Sequence, residues 1–329
     1  MAIYDSSKVT QFGTERTGYT EGIGKDVSTA KNVAEVMKLS GLGFISQKFP
    51  TEYFFEKTKE DELGNINITT ERIKIPKTYA VVRTDNLKVL GVVGEQYEIL
   101  QNSESFDFLD SLTALGDAVF DTAGSYEDGA KSFITMKTDS IKILDDKIDP
   151  LILFMNSFDG TGAVKAMLTP VRVACQNTLA LAVRKASNKI SIRHTNSLSR
   201  RLEAAKEVLL AQTKYLEELK TTAESLAVKP FSKDNFEAYL AKKFPQDAAL
   251  SDVQRARNQV MINDILAAYG AADVENFKNT AYGAVLAVTD FESHKPQFKQ
   301  TAGMELKNIK TVIKGMPLSN EIFYDLLRS

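Results

Sequence analysis

At Asn196 the hydrophobic rhythm of the chain changes, and this change limits its fold more than any other feature. Before it, β-branched and aromatic residues fall in short runs with polar neighbours, as at Ile66, Ile68, Ile73 and Ile75. That is the two-residue period of strands. After it, apolar residues recur every three or four positions. Leu198, Leu202, Ala205, Val208, Leu209, Tyr215, Leu216 and Leu219 make one such seam, the stripe an amphipathic helix lays on a core. Strands gathered first and helices after them predict an α+β protein. The expectation is a mixed or antiparallel sheet over residues 42–195, a long helix from Ser197 to Ala223, and a helical C-terminal region.

The elements follow from local signals. Residues 1–40 read as a flexible arm rich in Gly, Ser and Thr, then a short helix from Ser28, its cap, to Lys38. Glu52–Glu56 and Ile66–Ile75 read as strands about a polar turn, and Tyr79–Arg83 with Val89–Val93 as a hairpin. Asn102 is placed to cap a helix through Leu115. Val119–Ala123 pairs with Lys131–Thr138. The dense run Pro150–Ser157 is a buried central strand. Ala163–Cys175 returns beside it, and Pro170 there calls for an edge or a bulge. A short helix from Asn177 to Lys185 and a strand at Ile190–His194 close this half. Further helices are expected at Lys233–Lys243, Ser251–Tyr269, Phe277–Phe291, Met304–Lys314 and Ser319–Leu327. Lys229-Pro230 is the expected boundary, giving an arm (1–40), an α+β core domain (41–228) and a helical domain (229–329).

The periodicity changes inside a stretch of unusual charge. The 42 residues from Gly160 to Arg201 hold eight basic side chains and no acidic one, where the overall frequency of 43 in 329 predicts about five. The remainder carries 33 basic against 43 acidic residues, a net charge of about −10. Cations gathered in this way neutralise phosphates and release counterions. Arg172, Asn177, Thr178, Arg184, Lys185, Lys189, Arg193, His194, Arg200 and Arg201 are therefore the candidate contacts. The two helix starts in the window add N–H groups suited to phosphate. The stretch holds no aromatic residue, so base stacking would draw on Tyr53, Phe54, Tyr97, Phe158 or Tyr126. The competing reading has these cations paired with the acidic excess elsewhere.

Other chemistries find less support. Gly22-Ile-Gly24 and Gly160-Thr-Gly162 fall short of a phosphate-loop fingerprint and read as turns. One cysteine and two histidines make a structural zinc site an unlikely fit, and they match a reducing cytoplasm. Cys175 with His194 has the residues for a thiol nucleophile, but a lone cysteine in an apolar run is more often a small buried hydrophobe. Asp145, Asp146, Asp149 and Asp159, with Asp107 and Asp110 on a helix, are the carboxylates a nuclease metal would need. Asp145–Asp149 reads better as a solvated loop. Asp290 and His294 would share a helix face. Met1–Thr20 is polar, unlike a signal peptide, and no segment has the roughly 18 apolar residues of a membrane span. No cofactor and no membrane partner is expected.

Several short motifs in a fixed order resemble a known family. They are Leu90-Gly-Val-Val-Gly-Glu-Gln-Tyr97, Gln101-Asn102, Thr122-Ala-Gly-Ser125, Asn156-Ser-Phe-Asp-Gly160, Thr169-Pro-Val-Arg-Val-Ala-Cys-Gln-Asn-Thr-Leu179 and Ile192-Arg-His-Thr195. Asn279-Thr-Ala-Tyr-Gly283 and the segment to His294 complete the set. The chain is similar over about residues 42–295 to the phage/plasmid-like proteins called domain of unknown function 932. Two positions depart from that pattern: Phe158 stands where a His is expected, and Tyr282 where a Trp is common. The resemblance implies a setting among replication, recombination and anti-defence genes, with Arg172, Cys175, Gln176, Asn177, Thr178, His194 and Thr195 at motif positions. It carries no settled activity. The expectation is thus a non-catalytic, cytoplasmic DNA-binding protein of a phage or plasmid, acting on single strands, in annealing or in recombination. The alternatives are a module that inhibits a host defence protein or builds a homo-oligomer, and a nuclease using Asp145, Asp149 or Asp159.

Overall fold

The structure is a computed structural model, and it describes residues 24–60, 64, 66–114, 116, 118–144, 146–160, 164–172, 189–192, 198–294 and 317–328. Most of the N-terminal arm, the helix expected over Asn177–Lys185 and the one near Met304–Lys314 lie outside these residues.

Strand β1 (Lys25–Asp26) leads into α1 (Val33–Ser40). Asn32, not Ser28, caps α1: its side chain accepts from the Glu35 N–H at 2.9 Å. Ser28 sits in the preceding turn, its own N–H donating to Asp26. Gly41, at φ +79°, supplies the left-handed residue that ends the helix.

Strands β2 (Ser46–Glu60), β3 (Ile66–Arg83) and β4 (Val89–Gly94) form a three-stranded antiparallel sheet. Both expected hairpins are present, fused by the 18 residues of β3. Two short helices, α2 (Asn102–Phe106) and α3 (Leu109–Ala114), replace the single helix predicted through Leu115. Asn102 does not cap. Gln101 precedes the helix, its N–H donating to the Glu104 carboxylate at 3.0 Å, while Asn102 is buried and its amide donates to the Leu42 carbonyl.

The larger sheet has seven strands. They are β1, β5 (Val119–Tyr126), β6 (Lys131–Lys137), β7 (Ile141–Ile143), β8 (Asp146–Ser157), β9 (Val164–Arg172) and β10 (Lys189–Ile192). Their order is β1-β5-β6-β8-β9-β10, with β7 on β8, and every pair is antiparallel. The apolar runs of β6 and β8 are buried at consecutive positions, as befits central strands covered on both faces. Of the loop expected at Asp145–Asp149, residues Asp146–Asp149 are instead the start of β8. Ile148 is fully buried opposite Ile141, and this burial draws its neighbours into the ladder. Pro170 lies opposite Pro150 on β8, and among the described residues β10 pairs with Val164–Met167 of β9, short of Pro170, which agrees with the edge position expected there.

The C-terminal part is helical: α4 (Leu198–Ala227), α5 (Lys233–Lys243), α6 (Asp252–Tyr269), α7 (Ala281–His294) and α8 (Pro317–Arg328). The α4 seam buries Val208, Tyr215 and Leu219 and continues to Ala223 and Leu226. Helix α7 is buried from Ala284 to Thr289, and it packs on α4, α6 and α8. Lys229-Pro230 is a fixed junction. Ala281 N–H donates to the Lys229 carbonyl, Phe231 N–H to that of Asn279, and Lys229 Nζ to that of Leu326.

Gly283 is required by contact. A Cβ there would overlap the Phe277 carbonyl oxygen. Gly283→Ala is expected to lower stability by about 1–3 kcal/mol through overpacking. Gly94→Ala, where a Cβ meets nothing within 4 Å, is expected to be near neutral, both read by urea unfolding.

Glu292 accepts from the N–H groups of Leu318 and Ser319 and from the Ser319 hydroxyl, which anchors the start of α8. Burial raises its carboxyl above the ordinary range, against these hydrogen bonds. A raised folded value means that the linked stabilisation is complete below the ordinary glutamate pKa and is lost as pH rises through the folded one. Glu292→Gln is expected to flatten that pH dependence. Glu292→Ala is expected to cost about 1–2 kcal/mol, as lost caps do, with faster amide exchange over Pro317–Arg328.

Candidate functional site

The acid-free stretch enters the described structure at one margin of the large sheet. Arg172 ends β9, opposite Ile148 of β8. Lys189 begins β10, opposite Met167. At about 3.3 Å per residue, these two backbone positions are roughly 17 Å apart along the strand direction. Arg200 and Arg201 occupy the first turn of α4. The chain between Ile192 and Leu198 can span no more than roughly 20 Å, so this turn begins within that reach of the Ile192 end of β10, which lies about 26 Å along β9 from Arg172. Asn177, Thr178, Arg184, Lys185, Arg193 and His194 lie outside the described residues, as does Cys175.

Two cations outside the predicted contacts lie one register step from Arg172, on the alternate face of the sheet. Lys142 of β7 and Lys147 of β8 are directly opposite in register, and both are exposed. Like charges at opposed positions repel. Neither was counted with the cations because both lie outside the acid-free stretch, and only strand pairing sets them side by side. Exposed Lys165 faces Ser191 across the β9–β10 pair. Below β7, a cleft of about 680 Å³ opens between the β6–β7 turn and α4, lined in part by Thr138, Asp139, Lys142, Gln212, Glu217 and Lys220.

The aromatic candidates separate cleanly. Phe158 and Tyr126 are buried, Phe158 with its ring 5.5 Å from that of Phe44. Tyr97 is half-buried and its hydroxyl donates to the Ser157 carbonyl at 3.2 Å. Tyr53 and Phe54 are exposed, on the β2–β3 hairpin.

The earlier sequence motifs converge elsewhere, on a joint between the two sheets. The Asn156 amide donates to the Leu100 carbonyl at 3.1 Å and to the Asn102 side-chain oxygen at 3.2 Å. The Gln101 side chain accepts from the Ser46 N–H and donates to the Ser46 carbonyl. Asp159 holds the Lys131 ammonium and the Ser157 hydroxyl, and Lys131 also donates to Ser157 at 3.1 Å. Gly91 lets β4 pass close by: a Cβ there would sit 2.6 Å from Asp159 Cα. Arg83 lies 3.9 Å over the Phe44 ring, pairs with Asp85 and reaches the Asp128 carbonyl. Burial raises the Tyr97 and Tyr126 phenols, and the charge of Asp159 adds to it, so both stay neutral. The joint is built for position.

Among the described residues, Asp149, Asp159 and Asp110 lie apart. Asp149 accepts from the Ser140 hydroxyl at 2.6 Å. Asp159 lies past the far end of β8, about 30 Å away by strand rise. Asp110 accepts from the Val33 N–H at the start of α1. No group of three or more His, Cys, Asp or Glu side chains suited to a metal occurs among the described residues. Asp145 lies outside them. Helix α7 does extend to His294, which places Asp290 and His294 one turn apart. No helix among the described residues is long and apolar enough to cross a membrane.

Asp159→Ala leaves Lys131 and Ser157 without their shared acceptor in a half-buried place. It is expected to cost about 1–3 kcal/mol, and Asp159→Asn less, measured as thermal unfolding midpoints.

No curated protein and no solved structure matches the chain. The family described as "Domain of unknown function (DUF932)" matches residues 89–312, a span that opens at β4, runs through the joint and the basic stretch, and passes beyond α7. More than half of the chain lies in that match, and with the motifs in place the chain belongs to the DUF932 family.

Proposed function

We propose that this protein binds nucleic acid, DNA in single-stranded form, without a catalytic step, in an annealing or recombination role for a phage or plasmid. One observation carries the reading: eight cations and no anion in 42 residues of a chain whose remainder is strongly acidic. The pair Lys142 and Lys147 supports it, since their mutual repulsion would be relieved by a bound anion. With Phe158 and Tyr126 buried, the binding energy rests on phosphate contacts more than on stacked bases. Arg172, Lys189, Arg200 and Arg201 would hold phosphates along the sheet margin, and Lys142 and Lys147 a further one on the alternate face.

The test is fluorescence anisotropy of a labelled single strand, a duplex and a polyanion control across a salt series. The logarithm of affinity is expected to fall with the logarithm of salt by about 0.7 for each phosphate neutralised. R200E/R201E and K142E/K147E are each expected to weaken binding at least about ten-fold, that is by some 1.4 kcal/mol. Affinity indifferent to salt, or unchanged in both double variants, would falsify this assignment.

A further inference from the structure

Helix α4 turns one face to the cleft of about 680 Å³ beside β7, with Leu209, Gln212 and Leu216 three and four positions apart along it. Ile141 lines the strand side. A volume of this size is that of a small-molecule site. Gln212 is the unusual residue here. It is only 4% exposed, and it lies between two leucines. Its amide donates to the Thr138 hydroxyl at 2.7 Å. Among the described residues, that is the one hydrogen bond the Gln212 side chain makes. A carboxamide has two N–H donors and a carbonyl oxygen, so a donor and an acceptor remain at the wall of the cleft. Amide groups so deeply placed are costly unless they are paired.

The chemistry of the walls names the occupant. Ile141 on one side and Leu209 and Leu216 on the other suit the faces of a flat ring, which apolar side chains can sandwich. Two exposed cations, Lys142 and Lys220, are matched by two exposed anions, Asp139 and Glu217. The lining is therefore neutral overall and does not favour a phosphate within it. A purely apolar ligand would bury the spare edge of Gln212 unpaired. A neutral ring that sets a donor beside an acceptor meets both demands. Adenine presents that pair at N6 and N7, the edge that a glutamine amide reads. Lys142 also opposes Lys147 across the β7–β8 ladder, so a phosphate joined to the base finds cations at the rim.

We propose that the cleft takes one nucleobase, adenine in preference, with Ile141, Leu209 and Leu216 against its faces and the Gln212 amide on its edge. Where the base belongs to a strand, this rests on the nucleic-acid reading above; a free adenine nucleotide presents the same chemistry. The cleft then supplies the base contact that the buried Phe158 and Tyr126 do not.

Fluorescence anisotropy with the full chain compares a strand of deoxyadenosines with an abasic strand of the same length and charge. The first is expected to bind about five-fold or more tightly. Q212M removes the amide edge, and T213W fills the cleft from an exposed position without touching the Gln212–Thr138 bond. Each is expected to bring the two strands to equal affinity, with circular dichroism unchanged. R200E/R201E is expected to weaken both strands alike and keep their ratio. In parallel, deoxyadenosine monophosphate is titrated and the side-chain amide resonances of Gln212, identified by their loss in Q212M, are followed by NMR. A shift with the free nucleotide, but no preference between strands, assigns the cleft to free nucleotides. Strands that bind equally, with no such shift, overturn the proposal and leave the nucleic-acid reading standing. A preference that survives both Q212M and T213W also overturns it. Failure of both strands to bind overturns the nucleic-acid reading, and the cleft then stands or falls on the nucleotide titration.

Discussion

The Asn156 carboxamide is the contact on which this architecture turns. It lies buried at the end of the central strand β8 and donates to the Leu100 carbonyl and the Asn102 side chain, which in turn reaches Leu42. A buried amide costs several kcal/mol unless its hydrogen bonds are made. With Asn156 itself, these groups come from three separate chain segments, so their mutual arrangement is narrowly set. Apolar packing alone would let the smaller sheet slide over the larger one. The amides, with the Lys131–Asp159 pair beside them, fix where β4 leaves the body and hence where the β2–β3 ribbon points.

This division of labour explains the motif pattern. In these motifs the side chains of Tyr97, Gln101, Asn102, Asn156 and Ser157 bond to one another, to Asp159 or to backbone groups, which gives them a positioning role. Phe158 belongs to the same account. It is wholly buried against Phe44, with its N–H donating to Ala130. A ring with two nitrogens would need further partners in that apolar setting, so the phenyl departure is consistent with a packing role at this position. Asn279–Gly283 is likewise a packing motif. Asn279 takes a positive φ of 60° and Gly283 admits the Phe277 carbonyl. The basic stretch and the ribbon, one charged and one bearing exposed apolar side chains, lie on separate parts of the chain.

Much of the fold was legible because periodicity reports burial directly. Strands with one or two apolar faces and helices with one stripe show in the order of residues, and the Lys233–Lys243 helix and the Pro150–Ser157 strand appear where expected. Misses came where a tertiary partner overrode a local signal. Asn102 has the composition of a cap but is claimed by Leu42 and Asn156. Asp146–Asp149 has the composition of a loop but is carried into β8 by the burial of Ile148 opposite Ile141. The candidate site was legible only as a count of charges. Its grouping depends on which strands pair, and this is how Lys142 and Lys147 came to adjoin Arg172.

The sequence by itself determined the class of fold, the run of elements and the segregation of charge, since each depends on residues close in the chain. Tertiary structure alone decided that Asn102 and Asn156 meet, that Lys142 faces Lys147, and that Phe54, Ile66 and Ile68 share an uncovered face. Those relations join residues far apart in sequence. They arise from strand register and from the need to satisfy buried polar groups, neither of which a local pattern encodes.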